Sequence, residues 1–238
     1  MGTQIELGGI VLDVIKKNIK NVHLTVHPPA GHVRMSAPLR MTTATLRVFA
    51  IAKLPWIRQQ QKKLRAQERE TPREYLSRES HYVWGKRYLL KVVEEDGPPQ
   101  LTLTPRTLLL KVRPGTGAAK RMQLIEHWHR AQLKAAIEPL VVKWEPRLRV
   151  EVRRFFVQRM KTKWGSCSPG LRSIRLNTEL AKKPHECLEY LVVHEMAHLL
   201  EPTHNSRFIV LMDRFVPKWQ FYRDMLNRLP VRHESWSY

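Results

Sequence analysis

Up to about residue 112 the apolar positions of this chain alternate with polar ones in short runs, a period of two that marks half-buried strands. Residues 11–15, 22–26 and 33–36 follow it, and the His27-Pro28-Pro29-Ala30-Gly31 cluster between the last two predicts a hairpin turn. Thr42 or Thr43 can cap a helix carrying Leu46, Val48, Phe49, Ile51, Ala52 and Leu54. Pro55 is expected to kink or restart that helix before Trp56-Ile57 and a basic run to Lys63 continue it. Residues 82–94 predict a second hairpin with Gly85-Lys86 at its turn, and 101–112 supply two more short strands.

Arg113-Pro114-Gly115-Thr116-Gly117 interrupts the pattern and is the expected domain boundary, leaving 1–116 as a β-rich N-terminal region with one helix and 117–238 as a second domain. From Ala118 to Lys143 the rhythm changes: Met122, Ile125, Trp128, Leu133, Ile137, Leu140 and Val141 recur at helical spacing. Residues 150–160 and 171–176 are strand-like, with Trp164-Gly165-Ser166-Cys167-Ser168-Pro169-Gly170 between them as turn or loop. Pro184 at a first helical position, followed by Glu186 and Glu189, announces a helix to about Leu200. A further helix is predicted over 205–215, with Pro217 interrupting a continuation to Leu229. No internal repeat or low-complexity segment stands out. The fold class is therefore α+β, with helices packed on a small antiparallel sheet behind a β-rich N-terminal region.

Composition narrows the setting. Of 238 residues, 42% are hydrophobic and 26% charged, which is the make-up of a globular chain and excludes disorder. No apolar run approaches the ~18 residues of a membrane span. Lys16 and Lys17 follow the first apolar stretch instead of preceding it, contrary to a secretory signal. Two cysteines, Cys167 and Cys187, cannot make a disulfide framework, so a soluble cytoplasmic protein is expected. The formal net charge is +21, spread over both parts of the chain. Such a surface attracts nucleotides, nucleic acid or anionic membrane by its long-range field, and equally fits a basic protein with no selected partner.

Chemistry concentrates in His194-Glu195-Met196-Ala197-His198. Histidines four apart share one helical face and can hold one metal ion, while Glu195, turned by about 100°, reaches a water at an open metal position. That is the H-E-x-x-H pattern of zinc hydrolases. Pro202 ends the helix, and His204 follows the turn, so that a chain reversing direction returns a third imidazole to the same ion. Three protein ligands and a water make a catalytic zinc site, not a structural one. Glu201 opposes the helix dipole and suggests a partner for a ligand imidazole, or less readily another ligand. His127 and His129, two apart on a helix, face different directions. Cys167 is better read as loop packing than as a nucleophile or ligand, and Met212 as a core residue.

These residues carry a resemblance. His194-Glu195-Met196-Ala197-His198 with His204, followed by Asn205-Ser206-Arg207-Phe208, resembles the YgjP-like metallopeptidase family, relatives of the SprT-like and WLM zincins. Lys163-Trp164-Gly165-Ser166-Cys167-Ser168, Ile174-Arg175-Leu176-Asn177 and Lys53-Trp56-Ile57 resemble it too. The resemblance implies a zincin-like minimal catalytic core, zinc held by His194, His198 and His204, and Glu195 as general base. It also implies that the strand through Ile174, Leu176 and Asn177 is the edge on which a peptide or protein substrate pairs. Arg159, Lys161, Lys163 and Arg172 are nearby cations without an assigned role. Peptide hydrolysis leads. Family members also include nucleoside-triphosphate (UTP) pyrophosphatases, for which the charge speaks and the lack of a Gly-rich phosphate loop does not. A basic nucleic-acid-associated protein with a structural metal is the third possibility.

Overall fold

The computed structural model describes residues 3–27, 31–66, 73–160 and 163–228. Pro28-Pro29-Ala30 of the expected hairpin turn, Lys161 and Leu229 lie outside the described residues. The chain divides into two compact units, parting between residues 69 and 70.

The first unit contains strands β1 (Thr3–Leu7), β2 (Ile10–Lys17), β3 (His23–His27) and β4 (His32–Pro38), then helix α1 (Thr43–Ala66). The sheet order is β1-β2-β4-β3, with the inner pair parallel and both outer pairs antiparallel. Ile5, Leu12, Val14, Val33 and Met35 fall on alternate strand positions and bury against Leu46, Ala50 and Ile57 of α1. Thr42 is the cap: its Oγ1 accepts from the Thr45 amide at 3.2 Å, and its carbonyl accepts from Leu46. Pro55 stays inside one continuous helix instead of breaking it. It lies on the exposed side, where the Ile51 carbonyl that loses its donor meets water.

The second unit opens with β5 (Ser80–Val83), β6 (Lys86–Glu94), β7 (Gln100–Leu103) and β8 (Thr107–Val112). Their order, β5-β6-β8-β7, and the parallel inner pair β6–β8 repeat the first sheet. Each sheet leads into a long helix, here α2 (Ala118–Leu148). This repeat is one of topology, and no sequence periodicity discloses it. The Trp84-Gly85 turn has φ of 49° and 78°, one residue before the pair expected, because both central positions of this tight hairpin need positive φ. Residues 113–117, the expected boundary, connect β8 to α2 within this unit.

The buried stripe of α2 is Ile125, His129, Leu133, Ile137, Val141, Trp144 and Leu148, so a histidine occupies the place that helical spacing reserves between Ile125 and Leu133. A three-stranded sheet follows: β9 (Arg154–Gln158), β10 (Gly165–Ser168) and β11 (Ser173–Asn177), in the order β10-β11-β9. It is mixed, not antiparallel, since β11 runs parallel to β9. The segment expected as loop supplies β10, paired to β11 in antiparallel register, with Arg175 donating to Ser168 Oγ across the pair at 3.1 Å. Helices α3 (His185–Ala197), α4 (Ser206–Phe215) and α5 (Trp219–Arg228) complete the unit. The core joins α2, β11 and α3 to Phe208, Met212, Trp219 and Leu226. No described helix is long and apolar enough to cross a membrane.

Candidate active site

Helix α3 is almost entirely buried, with Leu188, Val192, Val193, Met196 and Ala197 at 0% exposure. Pro184 acts as its cap residue, one place earlier than expected, and the last helical residue is Ala197. Glu189 fixes the helix to α2 by accepting from Lys143 Nζ at 2.6 Å and Trp144 Nε1 at 2.9 Å. The hairpin tip holds its entry: Trp84 stacks on His185 at 3.9 Å, and the amides of Trp84 and Gly85 donate to the carbonyls of Ala181 and Lys182.

At the far end His198 takes the C-cap position, and the chain turns through Glu201 and Pro202 to His204. One ligand atom from each of His194, His198 and His204 lies within 4.8 Å of the others. Nε2 of His194 faces Nε2 of His204 at 3.0 Å. Nδ1 of His198 is 3.0 Å from the Glu201 carbonyl, which can only accept, so this nitrogen carries the proton and Nε2 keeps its lone pair. Glu201 thus serves through its backbone, while its carboxylate accepts from Thr203 Oγ1. Nδ1 of His194 is buried and has no hydrogen bond.

The three imidazoles stand on Phe208, whose ring centroid is 4.9, 4.6 and 4.7 Å from those of His194, His198 and His204. Phe208 is 1% exposed, and its amide donates to Asn205 Oδ1, the cap of α4. Burial depresses the basicity of His194, to about 3, and that of His198 in the same direction. Neutral imidazoles gathered on an apolar platform, with their nitrogens converging, fit a borderline-soft cation such as Zn²⁺.

Glu195 is 4% exposed, and burial pushes its carboxyl up to about 8, against the opposing pull of Lys163. A cation beside the histidines favours the carboxylate form. The side chain reaches Gly165 at the start of β10, where an added Cβ would lie 2.5 Å from Oε1. Cys167, on the same strand, is raised to about 11 by burial and then by Glu195, which keeps it a thiol.

The three motif histidines therefore come together, with Glu195 next to His194 on the helix and its carboxylate against Gly165, whereas the expected substrate strand does not meet its description. β11 is the central strand of its sheet, Ile174 and Leu176 are core residues at 0% exposure, and both strand edges are taken. Asn177 is structural as well: its side chain donates to the carbonyls of Met160 and Lys163 and accepts from the Glu179 amide. Among the described residues the free edge beside Glu195 is β10. Of the nearby cations, Lys163 acts on Glu195, while Arg172 pairs with Glu151. Phe208 had no assigned role from the sequence, which marks Gly165 as part of a tight loop beside the cleft and not as the neighbour of Glu195; their other signal was their place in family-like motifs.

Residues 20–229 match the YgjP-like metallopeptidase domain. No curated protein matches the chain. Among solved structures it is similar to the metallopeptidase zymogen of Pyrococcus abyssi abylysin, with 21% identity over 38% of this chain and 90% of that one and a TM-score of 0.36. It is also similar to the zymogen of Methanocaldococcus jannaschii jannalysin, with 21% identity over 38% of this chain and 92% of that one and a TM-score of 0.34.

Proposed function

The chain belongs to the YgjP-like metallopeptidase family, and on that premise we propose that it is a zinc-dependent peptidase in which His194, His198 and His204 hold the ion and Glu195 is the general base. The observation that carries this reading is the convergence of three imidazoles within 4.8 Å beside a buried carboxylate. When bound, zinc supplies a Lewis acid that brings the pKa of a water to about 7 and polarises a carbonyl oxygen.

The protein's own groups do the rest. The Glu201 carbonyl fixes the tautomer of His198, and Phe208 keeps all three rings in place. Glu195 takes the proton of the attacking water and delivers it to the departing amine. An extended peptide adds to β10, whose first residue touches the base, in place of the β11 edge inferred from resemblance. Every residue of this machinery falls after position 117, so we assign catalysis to 117–238. Two free thiols, Cys167 and Cys187, support a cytoplasmic setting.

The test is cleavage of a quenched-fluorescence peptide library by the zinc-loaded protein. Glu195→Ala is expected to lower the rate by about 10²-fold or more while keeping its zinc, and His198→Ala to lose the ion. Wild-type cleavage by Glu195→Ala would sink the assignment. Pyrophosphate release from nucleoside triphosphates that vanishes in the same variant would move the site to phosphoryl chemistry.

A further inference from the structure

We propose that the second unit carries an oxyanion site, apart from the histidine cluster, that takes a single phosphate group. A cavity of about 50 Å³ opens where four stretches of chain meet: the approach to β5, the first half of α2, the end of β9 and the 3-10 turn Thr178–Lys182. A water needs roughly 10–15 Å³ on this measure, so the space suits a few waters or one tetrahedral oxyanion. None of His194, Glu195, His198 or His204 lines it.

Its lining brings together Arg73, Arg130, Arg159 and Lys182. Two carboxylates, Glu126 and Glu179, share the cavity, and Glu179 accepts from Lys182 Nζ at 2.8 Å. The two histidines of the lining, His81 and His129, are 1% and 4% exposed and held neutral by burial. Four cations face the two carboxylates of the lining and the Glu79 carboxylate beside His81, and the balance that remains is positive, as an oxyanion requires. Arginine forks are also the side chains that match a tetrahedral oxyanion in geometry.

His81 adds an independent sign. Its Nδ1 lies 3.0 Å from an Arg73 guanidinium nitrogen, which can only donate, so the proton sits on Nε2. That buried N–H has no hydrogen bond; the Glu79 carboxylate stands off at 3.8 Å. A buried donor left without an acceptor costs about 1–3 kcal/mol, and an oxyanion or the water it orders supplies one. The lone pair of His81 is taken by the Arg73 guanidinium, so this ring offers a metal cation no ligand atom. Arg130 and Arg159 are exposed and stand at the mouth, where the organic part of a phosphate ester would lie.

The zinc-loaded full chain is titrated calorimetrically with inorganic phosphate and, separately, with phosphoserine, at constant ionic strength against chloride. One saturable site is expected. The double variant Arg130→Ala/Arg159→Ala, at two exposed positions and with its fold checked by circular dichroism, is expected to weaken it about tenfold or more. The charge-matched control Lys218→Ala/Arg228→Ala is expected to leave it unchanged. Phosphoserine binding as well as phosphate identifies an ester's phosphate as the ligand; phosphate alone identifies the free anion. No saturable binding, undiminished binding by the double variant, or an equal loss in the control each overturns the proposal.

Discussion

Gly165 and Glu195 are thirty positions apart in sequence, yet a single methyl group would separate their roles. A Cβ at Gly165 would sit 2.5 Å from Glu195 Oε1 and 2.9 Å from its Cγ and Cδ. A Cβ there forces the buried carboxylate to shift, so Gly165→Ala displaces the proposed base while the imidazoles, seated on Phe208, stay where they are. The expected outcome is a fall in kcat of about 10²-fold with zinc stoichiometry unchanged, read from peptide cleavage and metal analysis on the same sample. The motif histidines and Glu195 were legible in the sequence because their relation is local, a helical spacing and a chain reversal. Gly165 and Phe208 were not. What makes each necessary is a neighbour that only the folded chain brings near, and neither a glycine before a serine nor a phenylalanine in an amphipathic helix announces such a neighbour.

The hairpin tip of β5 and β6 works as an element. Gly85 has φ of 78°, and a Cβ there would meet Pro184 Cγ at 2.9 Å. Gly85→Ala therefore strains the turn and pushes the tip away from the entry of α3. A loss of about 1–3 kcal/mol is expected in denaturant unfolding, with weakened Trp84–His185 stacking visible in near-ultraviolet circular dichroism. Elements with a strong apolar period were legible: α2, α3, α4 and most strands lie within a few residues of their predicted limits. β10 was not, because Gly-Ser-Cys-Ser has no alternation to read and is a strand by pairing with β11. The edge position expected of β11 came from the family resemblance and not from its own pattern. Burial of β11 on both faces, relieved only at half-buried Arg175, is what a central strand shows once β10 is counted as a partner. Pro55 misled in the other direction, since a proline on the wet side of a helix can be tolerated.

Over the whole molecule, stability should respond to pH through His129 and His81. Both are buried neutral, with pKa values lowered from 6.5 to about 4 and about 3, by burial first. The unfolded chain takes up these protons near pH 6.5 and the folded chain does not, so the stability that these two histidines contribute is full above 6.5 and falls as the pH drops toward 4. His129 alone accounts for about 3 kcal/mol of this at the lower end. Urea unfolding between pH 7 and pH 4 is expected to show the loss, and His129→Gln, which retains a donor for the Tyr82 carbonyl, to flatten the slope by about one proton. At this scale the sequence was least informative. Proline and glycine at 113–117 suggested a boundary, but compactness follows from contacts between β5–β8 and what comes after, which no local composition encodes.

The core that seats α3 is closed by residues from the far end of the described chain: Phe208 and Met212 in α4, Trp219 and Leu226 in α5. The first unit, by contrast, draws its whole core from positions 5 to 57. A chain made from its N-terminus folds in that order. During translation the core of the first unit can be complete while the helix that bears His194 and His198 still lacks its packing partners and the platform under its histidines. On the proposed function, the histidine cluster is then assembled only after α4 and α5 have been made, and a copy synthesised no further than α3 lacks its hydrolytic centre.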